Sequence, residues 1–225
     1  MPLNRRWVLV VGYAGAVLAA VHAYTFRLII AALTNPDDMA ERLTFFAANQ
    51  ALFVVWISAA LGLWVVLLAV LPAIWRALGR GWAATVVLAL LFATAAGNLV
   101  GDGAQFSTLF LSARYASAAD SLGPGLEAAA SEVSRAASAL LSPFILTFFV
   151  GSVAATVLTA VRRPPAGRWY GLLFLLFVLS NVPVGPAPVA AALNLLILGA
   201  IVYYTGRGLA HEEMSQATQP HLTSS

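Results

Sequence analysis

Twenty residues pass from Trp7 to Phe26 without one charged side chain, and runs of that kind recur down the chain. Apolar segments lie at 7–33, 49–75, 82–101, 142–161, 169–187 and 188–206. Each is close to the roughly 20 residues that a helix needs to cross a bilayer. Away from water such a run must close its own backbone hydrogen bonds, and a helix does so within one segment. The expected fold is all-α, a polytopic transmembrane bundle of six spanning helices. Composition agrees: 61% of the residues are hydrophobic and 9% are charged, against about 25% charged in soluble domains. Residues 1–207 are read as one membrane domain. The polar segment 208–225 lacks periodicity and is expected to be a disordered cytoplasmic tail.

Arginine placement predicts the orientation. Arg5, Arg6, Arg76, Arg80, Arg162, Arg163, Arg168 and Arg207 fall on one side of the predicted spans. Asp37, Asp38, Glu41, Asp120, Glu127 and Glu132 fall on the other, with Arg42, Arg114 and Arg135 among them. By the positive-inside rule both termini face the cytoplasm, and the expected location is a bacterial cytoplasmic membrane. Trp7, Trp75, Trp82 and Trp169 sit at the same inner border, as an aromatic belt requires. The net charge of +3 belongs to these borders, so nucleic-acid binding is excluded. Residues 1–23 resemble a signal peptide, but the uncharged run exceeds the 7–15 residues of a signal core, and retention is predicted.

The outer side reads as helical. In "TNPDDMAERL" Asn35 is the predicted N-cap and Pro36 the first helical residue, with a helix running from there into the second span. "AQFSTLFLSARYASA" continues the third span, "GLEAAASEVSRAASALL" leads into the fourth, and "DSLGPG" (120–125) turns between them. Arg114 or Arg135 is expected to brace this outer bundle against an acid.

At 1.5 Å per residue, His22 lies about 22 Å from Trp7 and Asn98 about 24 Å from Trp82. Asn194 lies about 20 Å from Arg207, and Asn181 about 18 Å from Trp169. A second polar group, Arg27, Asn49, Gln50, Asp102 and Gln105, lies nearer the outer border. Asn98, Asp102 and Gln105 share one helix face. Ionisable groups inside spans are functional candidates, so His22, Arg27, Asn98, Asp102 and Gln105 form the predicted ligand site, an outward polar recess with Arg27 as counter-charge to Asp102. The structural readings stand beside it: Asp102 as a solvated helix end, Arg27 snorkelling to headgroups, the asparagines bonding between helices, and Gly97–Gly101 as a packing seam.

Other chemistry lacks its residues. Without cysteine there is no disulfide or thiolate site. His22 is the sole histidine in a span, so bis-His haem and a zinc site fail. No G-x-S-x-G, H-E-x-x-H or P-loop pattern occurs, and no lysine exists for a Schiff base. No cofactor or metal is predicted.

The first span "GYAGAVLAAVHAYTFRLIIAAL", its short outer link, the long excursion between the third and fourth spans, and "AVRRPPAGRWYGLLFLLF" entering the fifth form one layout. That layout resembles a family of uncharacterised bacterial six-helix integral membrane proteins known as a domain of unknown function. The resemblance implies a fold type and carries no activity. Three functions are expected of such a chain. The first is binding or translocation of a small molecule or lipid through the recess. The second is a non-catalytic accessory role, with a membrane-protein partner docking on the outer bundle; the chain is expected to act alone or as a homodimer. The third is an intramembrane enzyme with Asp102 and His22 as acid and base.

Overall fold

A computed structural model of the chain describes residues 4–117, 122–182 and 185–217. Seven helices follow one another: α1 (Arg5–Ala32), α2 (Met39–Ala48), α3 (Gln50–Ala77), α4 (Gly81–Ser117), α5 (Gly123–Arg162), α6 (Tyr170–Ser180) and α7 (Ala187–Ala217). The fold is all-α, with no strand among the described residues. Five of the helices, α1, α3, α4, α5 and α7, have the length and apolarity to cross a membrane, and α6 is a shorter apolar helix. This is the pattern of a multi-pass membrane protein.

The long helices and α6 form a closed ring. In order round it, α1 packs on α3, α3 on α4, α4 on α5, α5 on α6 and α6 on α7, and α7 returns to α1. Neighbours in the ring are antiparallel, so the arginine-rich loops gather at one end. There Arg76 and Arg80 both reach Glu212, with Arg76 Nε 2.8 Å from the carboxylate. Between α5 and α6 the loop closes on the same end, with Ala166 N–H donating to the Ala77 carbonyl at 3.2 Å. The core between the helices is built of Leu, Val and Ala, with the aromatic rings of α6 inserted. Tyr170 is fully buried, and its hydroxyl finds the Thr205 hydroxyl at 2.6 Å. Gly97 and Gly101 form the predicted seam. A Cβ at Gly97 would lie 2.1 Å from the Phe144 ring, and one at Gly101 would lie 2.5 Å from Leu141.

Several boundaries differ from the sequence expectation. The second helix starts at Met39 rather than Pro36, because Asp38, not Asn35, caps it, accepting from Ala40 N–H at 2.9 Å and Glu41 N–H at 3.2 Å. Glu41 folds back in turn to accept from the Thr34 and Asn35 amides at 2.6 and 2.8 Å. This reciprocal capping closes the loop from α1. The helix does not run on into the span either: Asn49, at φ −126°, separates α2 from α3.

The segment from 208 was expected to be disordered, yet α7 continues through it to Ala217. Leu209 is buried against Val8 and Ala73, and the paired arginines hold Glu212. Residues 218–225 lie outside the described residues, as do Asp120 and Ser121 of the predicted turn. The expected brace is local: Arg135 pairs with Glu132 on α5 itself, while Tyr115 Oη donates to Glu127 at 2.7 Å across the α4–α5 hairpin.

The segment 169–187, expected to be a full span, yields a helix of 11 residues. That is about 16 Å, half of a roughly 30 Å hydrocarbon core.

Candidate functional site

The short α6 explains much of the polar layer. Tyr170 pairs with Thr205, and Asn181 Nδ2 donates to Asn194 Oδ1 at 3.3 Å. Eleven residues separate the two pairs along each helix, so α6 and α7 run side by side and antiparallel. The first two turns of α7 nevertheless rise past Asn194, and after Ser180 the chain is no longer helical. A helix that stops there leaves its last carbonyls without N–H partners. Asn181 answers one of them, with Nδ2 2.8 Å from the Phe177 carbonyl. Arg27, only 7% exposed, serves the chain just beyond the helix: its guanidinium donates to the Val182 carbonyl, two residues past Ser180.

Arg27 is therefore not the counter-charge of Asp102. α1 runs away from the arginine-rich end and its side chains tilt back toward its N-terminus. The guanidinium is thus drawn into the bundle, toward the end of α6, and does not snorkel outward. A cation at a helix C-terminus also meets the negative end of the helix dipole.

Asp102 reaches a different neighbour. Trp64 lies far down α3 from its start, Asp102 far along antiparallel α4, and both side chains lean toward the gap between them. Trp64 Nε1 donates to Asp102 Oδ2 at 2.7 Å. Asp102 is partly buried, and its Oδ1 has no hydrogen-bond partner among the described residues. No cation stands within ion-pair distance of it among those residues. Trp64 also lines an apolar cavity of about 50 Å³ at the centre of the ring, together with Phe148, Phe174 and Phe177. The carboxylate and the apolar space thus meet at one indole.

The remaining predicted residues are engaged elsewhere. His22 joins Phe26 and Trp56 in a cluster of three rings whose centroids lie 6.0–6.3 Å from one another, with Nδ1 3.5 Å from the Trp56 carbonyl. Asn98 is buried and turns back on its own helix, donating to the Thr94 carbonyl at 2.8 Å. Gln105 is buried on the same helix. No hydrogen bond or ion pair among the described residues joins any two of His22, Arg27, Asn98, Asp102 and Gln105.

Sequence reasoning missed the two tryptophans that organise this region. Trp56 and Trp64 sit inside a span, away from the border where the other tryptophans gather, and a buried indole N–H seeks a partner. Trp64 finds Asp102; the buried Trp56 Nε1 has none among the described residues. An interior tryptophan in a chain otherwise built of Ala, Leu and Val was the available signal.

No protein-family model matches the chain, and no curated protein or solved structure does.

Proposed function

We propose that the chain crosses a bacterial cytoplasmic membrane six times, with both termini inside, and binds and translocates a small molecule or lipid that carries a positive charge. The gathering of arginines and exposed Trp7, Trp82 and Trp169 at one end supports the orientation. The sixth crossing begins with α6, a short helix that ends at Ser180. Non-helical backbone at membrane depth is tolerated where its polar groups find partners, and Arg27 and Asn181 supply donors to the Val182 and Phe177 carbonyls.

The observation that carries the functional reading is Asp102 itself. It is a carboxylate in a membrane-length helix, held by a neutral donor and without a cation among the described residues, and that donor, Trp64, lines an apolar cavity with aromatic walls. Its charge calls for a ligand cation or a proton. The rings of Trp64 and Phe148 suit the apolar body of an amphiphilic cation. At about 50 Å³ the cavity admits the end of such a ligand and no more, so binding widens the space between the Trp64 and Phe148 rings.

Equilibrium binding of tetraphenylphosphonium to the purified protein tests this. Wild type is expected to bind it, Asp102→Glu to retain it, and Asp102→Asn to lose at least tenfold. Equal binding by Asp102→Asn would refute the assignment.

One observation favours the accessory reading as the second choice. Phe110 is 70% exposed and lies about 42 Å from Trp82 along α4, beyond the core in this orientation. A co-purifying protein lost on Phe110→Asp and kept in Asp102→Asn would support that reading over the first.

A further inference from the structure

The arginines at the crowded end differ in what they hold. Arg76 and Arg80 share Glu212, and Arg168 lies over the Trp169 ring. Arg5 and Arg207 have no hydrogen-bond or ion-pair partner among the described residues. They nevertheless converge. Arg5 and Tyr13 stand on one face of α1, eight residues apart, and Tyr203, Arg207 and His211 stand at the same helical spacing on α7. The two faces form the walls of one cleft of about 370 Å³. Its floor is closed, because small residues bring α1 and α7 together: a Cβ at Gly206 would lie 2.7 Å from Leu9, and one at Gly12 2.7 Å from Val202.

We infer that this groove between α1 and α7 binds the phosphate of an anionic phospholipid headgroup, with Arg5, Arg207 and His211 as donors. Two guanidinium groups and an imidazole from two helices make a convergent donor set, and guanidinium forks match phosphate oxygens. The volume lies within the roughly 300–1,000 Å³ of small-ligand sites. The apolar lip selects a lipid over a free anion. Tyr13 and Tyr203 are 44% and 56% exposed and continue the groove away from the arginines, beside Val10 at 70%. A lipid fits both parts at once: its phosphate at the cations, and its glycerol and first methylenes along the tyrosines. Trp7 marks the same level at the membrane border. The inference rests on reading this end as the headgroup end and is independent of Asp102.

The test uses the full chain in detergent, titrated with phosphatidylglycerol or phosphatidylcholine and read by native mass spectrometry. Wild type is expected to retain phosphatidylglycerol preferentially, and the preference is expected to fall as salt is raised. At the free energy typical of one basic side chain near anionic lipid, Arg5→Gln or Arg207→Gln weakens retention roughly fivefold and the pair about thirtyfold. Arg5→Lys with Arg207→Lys is expected to keep most of it, as is the control pair Arg162→Gln with Arg163→Gln at the same end. Three results would overturn the inference. One is wild-type retention that ignores the headgroup, which needs no variant to fold. Another is a control pair that loses as much as the groove pair. The last is inorganic phosphate displacing the lipid at equal concentration, which would make this a free-anion site.

Discussion

Gly171 is the second residue of α6, and the space around it sets a sharp test of the ring packing. A Cβ built there would lie 2.2 Å from the carbonyl oxygen of Ala155 and 2.5 Å from Thr156 N, both backbone atoms of α5. Ordinary Cβ contact begins at 3.4 Å, so Gly171→Ala is short by about 1.2 Å against groups that no rotamer change can move. The helices must part by about that distance. A gap of about 1 Å forfeits a quarter to a half of each dispersion contact it opens, and the contacts at risk are those of Tyr170, Phe174 and Phe177, all buried. The Gly171 N–H bond to Thr159 Oγ1, 3.2 Å long, is stretched as well. Overpacking of this kind costs about 3 kcal/mol, or about 6–12 °C in Tm for a chain of this size. Gly103→Ala is the internal control. Nothing lies within 4 Å of a Cβ there, and the helix propensity of Ala stabilises by about 0.8–1 kcal/mol. Thermal unfolding in detergent, followed by tryptophan fluorescence, separates the two. A Gly171→Ala protein as stable as wild type would refute the close contact of α5 and α6, and with it the placement of the α6 end against Arg27.

Two further outcomes follow from the two ends of the molecule. Glu212→Gln frees Arg76 and Arg80 together; because Arg80 is 45% exposed, the loss is held to about 1 kcal/mol. Trypsin is then expected to cut after Arg207 about fivefold faster, and an unchanged rate would show that the pairs do not hold the end of α7. At the other end, the Thr34 and then the Asn35 amide hold the Glu41 carboxylate below its ordinary value. A carboxylate depressed on folding contributes stability above its unfolded pKa and loses it as pH falls through the folded value. The amide shifts of Thr34 and Asn35 should therefore titrate with a midpoint below 4.5, the ordinary glutamate value. A midpoint at or above 4.5 would contradict the capping geometry.

The long helices were legible because length and apolarity are local properties of the chain. The extension of the third and fourth predicted spans beyond the core was legible too, in "AQFSTLFLSARYASA" and "GLEAAASEVSRAASALL", since helix periodicity does not stop at the membrane border. The shortness of α6 was hidden, because an apolar run reads alike whether it spans or stops halfway. The mark was Pro183 in the sequence, which disfavours helix at the residue before it. The helical segment past Gly208 was hidden for the opposite reason. Its order comes from one leucine and one carboxylate meeting distant partners, Val8 and Ala73 for Leu209, Arg76 and Arg80 for Glu212. Depth arithmetic sorted Arg27 and Asp102 by height but carries no azimuth. α3 stands between α1 and α4 in the ring, and α1 and α4 do not pack on each other. Two residues at similar depth therefore served different neighbours.

That separation decides which of the two charges is the functional candidate. A buried ion is tolerated where its partners repay its lost hydration. For Arg27 the partner is the Val182 backbone carbonyl just past the end of α6, so the fold itself uses the charge, and replacing it leaves that carbonyl without its donor. For Asp102 the partner is one indole N–H, and a carboxylate has room for several donors over its two oxygens. The fold gains little from a full negative charge there, since a neutral acceptor would serve Trp64 as well. A charge that packing does not require, next to a cavity that packing does not fill, is the combination expected of a ligand site. His22 lacks that surplus: its ring packs with those of Phe26 and Trp56 and turns Nδ1 to the Trp56 carbonyl. Arg27, Asn181 and Asn194 are engaged around the end of α6, which leaves Asp102, with Trp64 beside it, as the candidate of the polar layer.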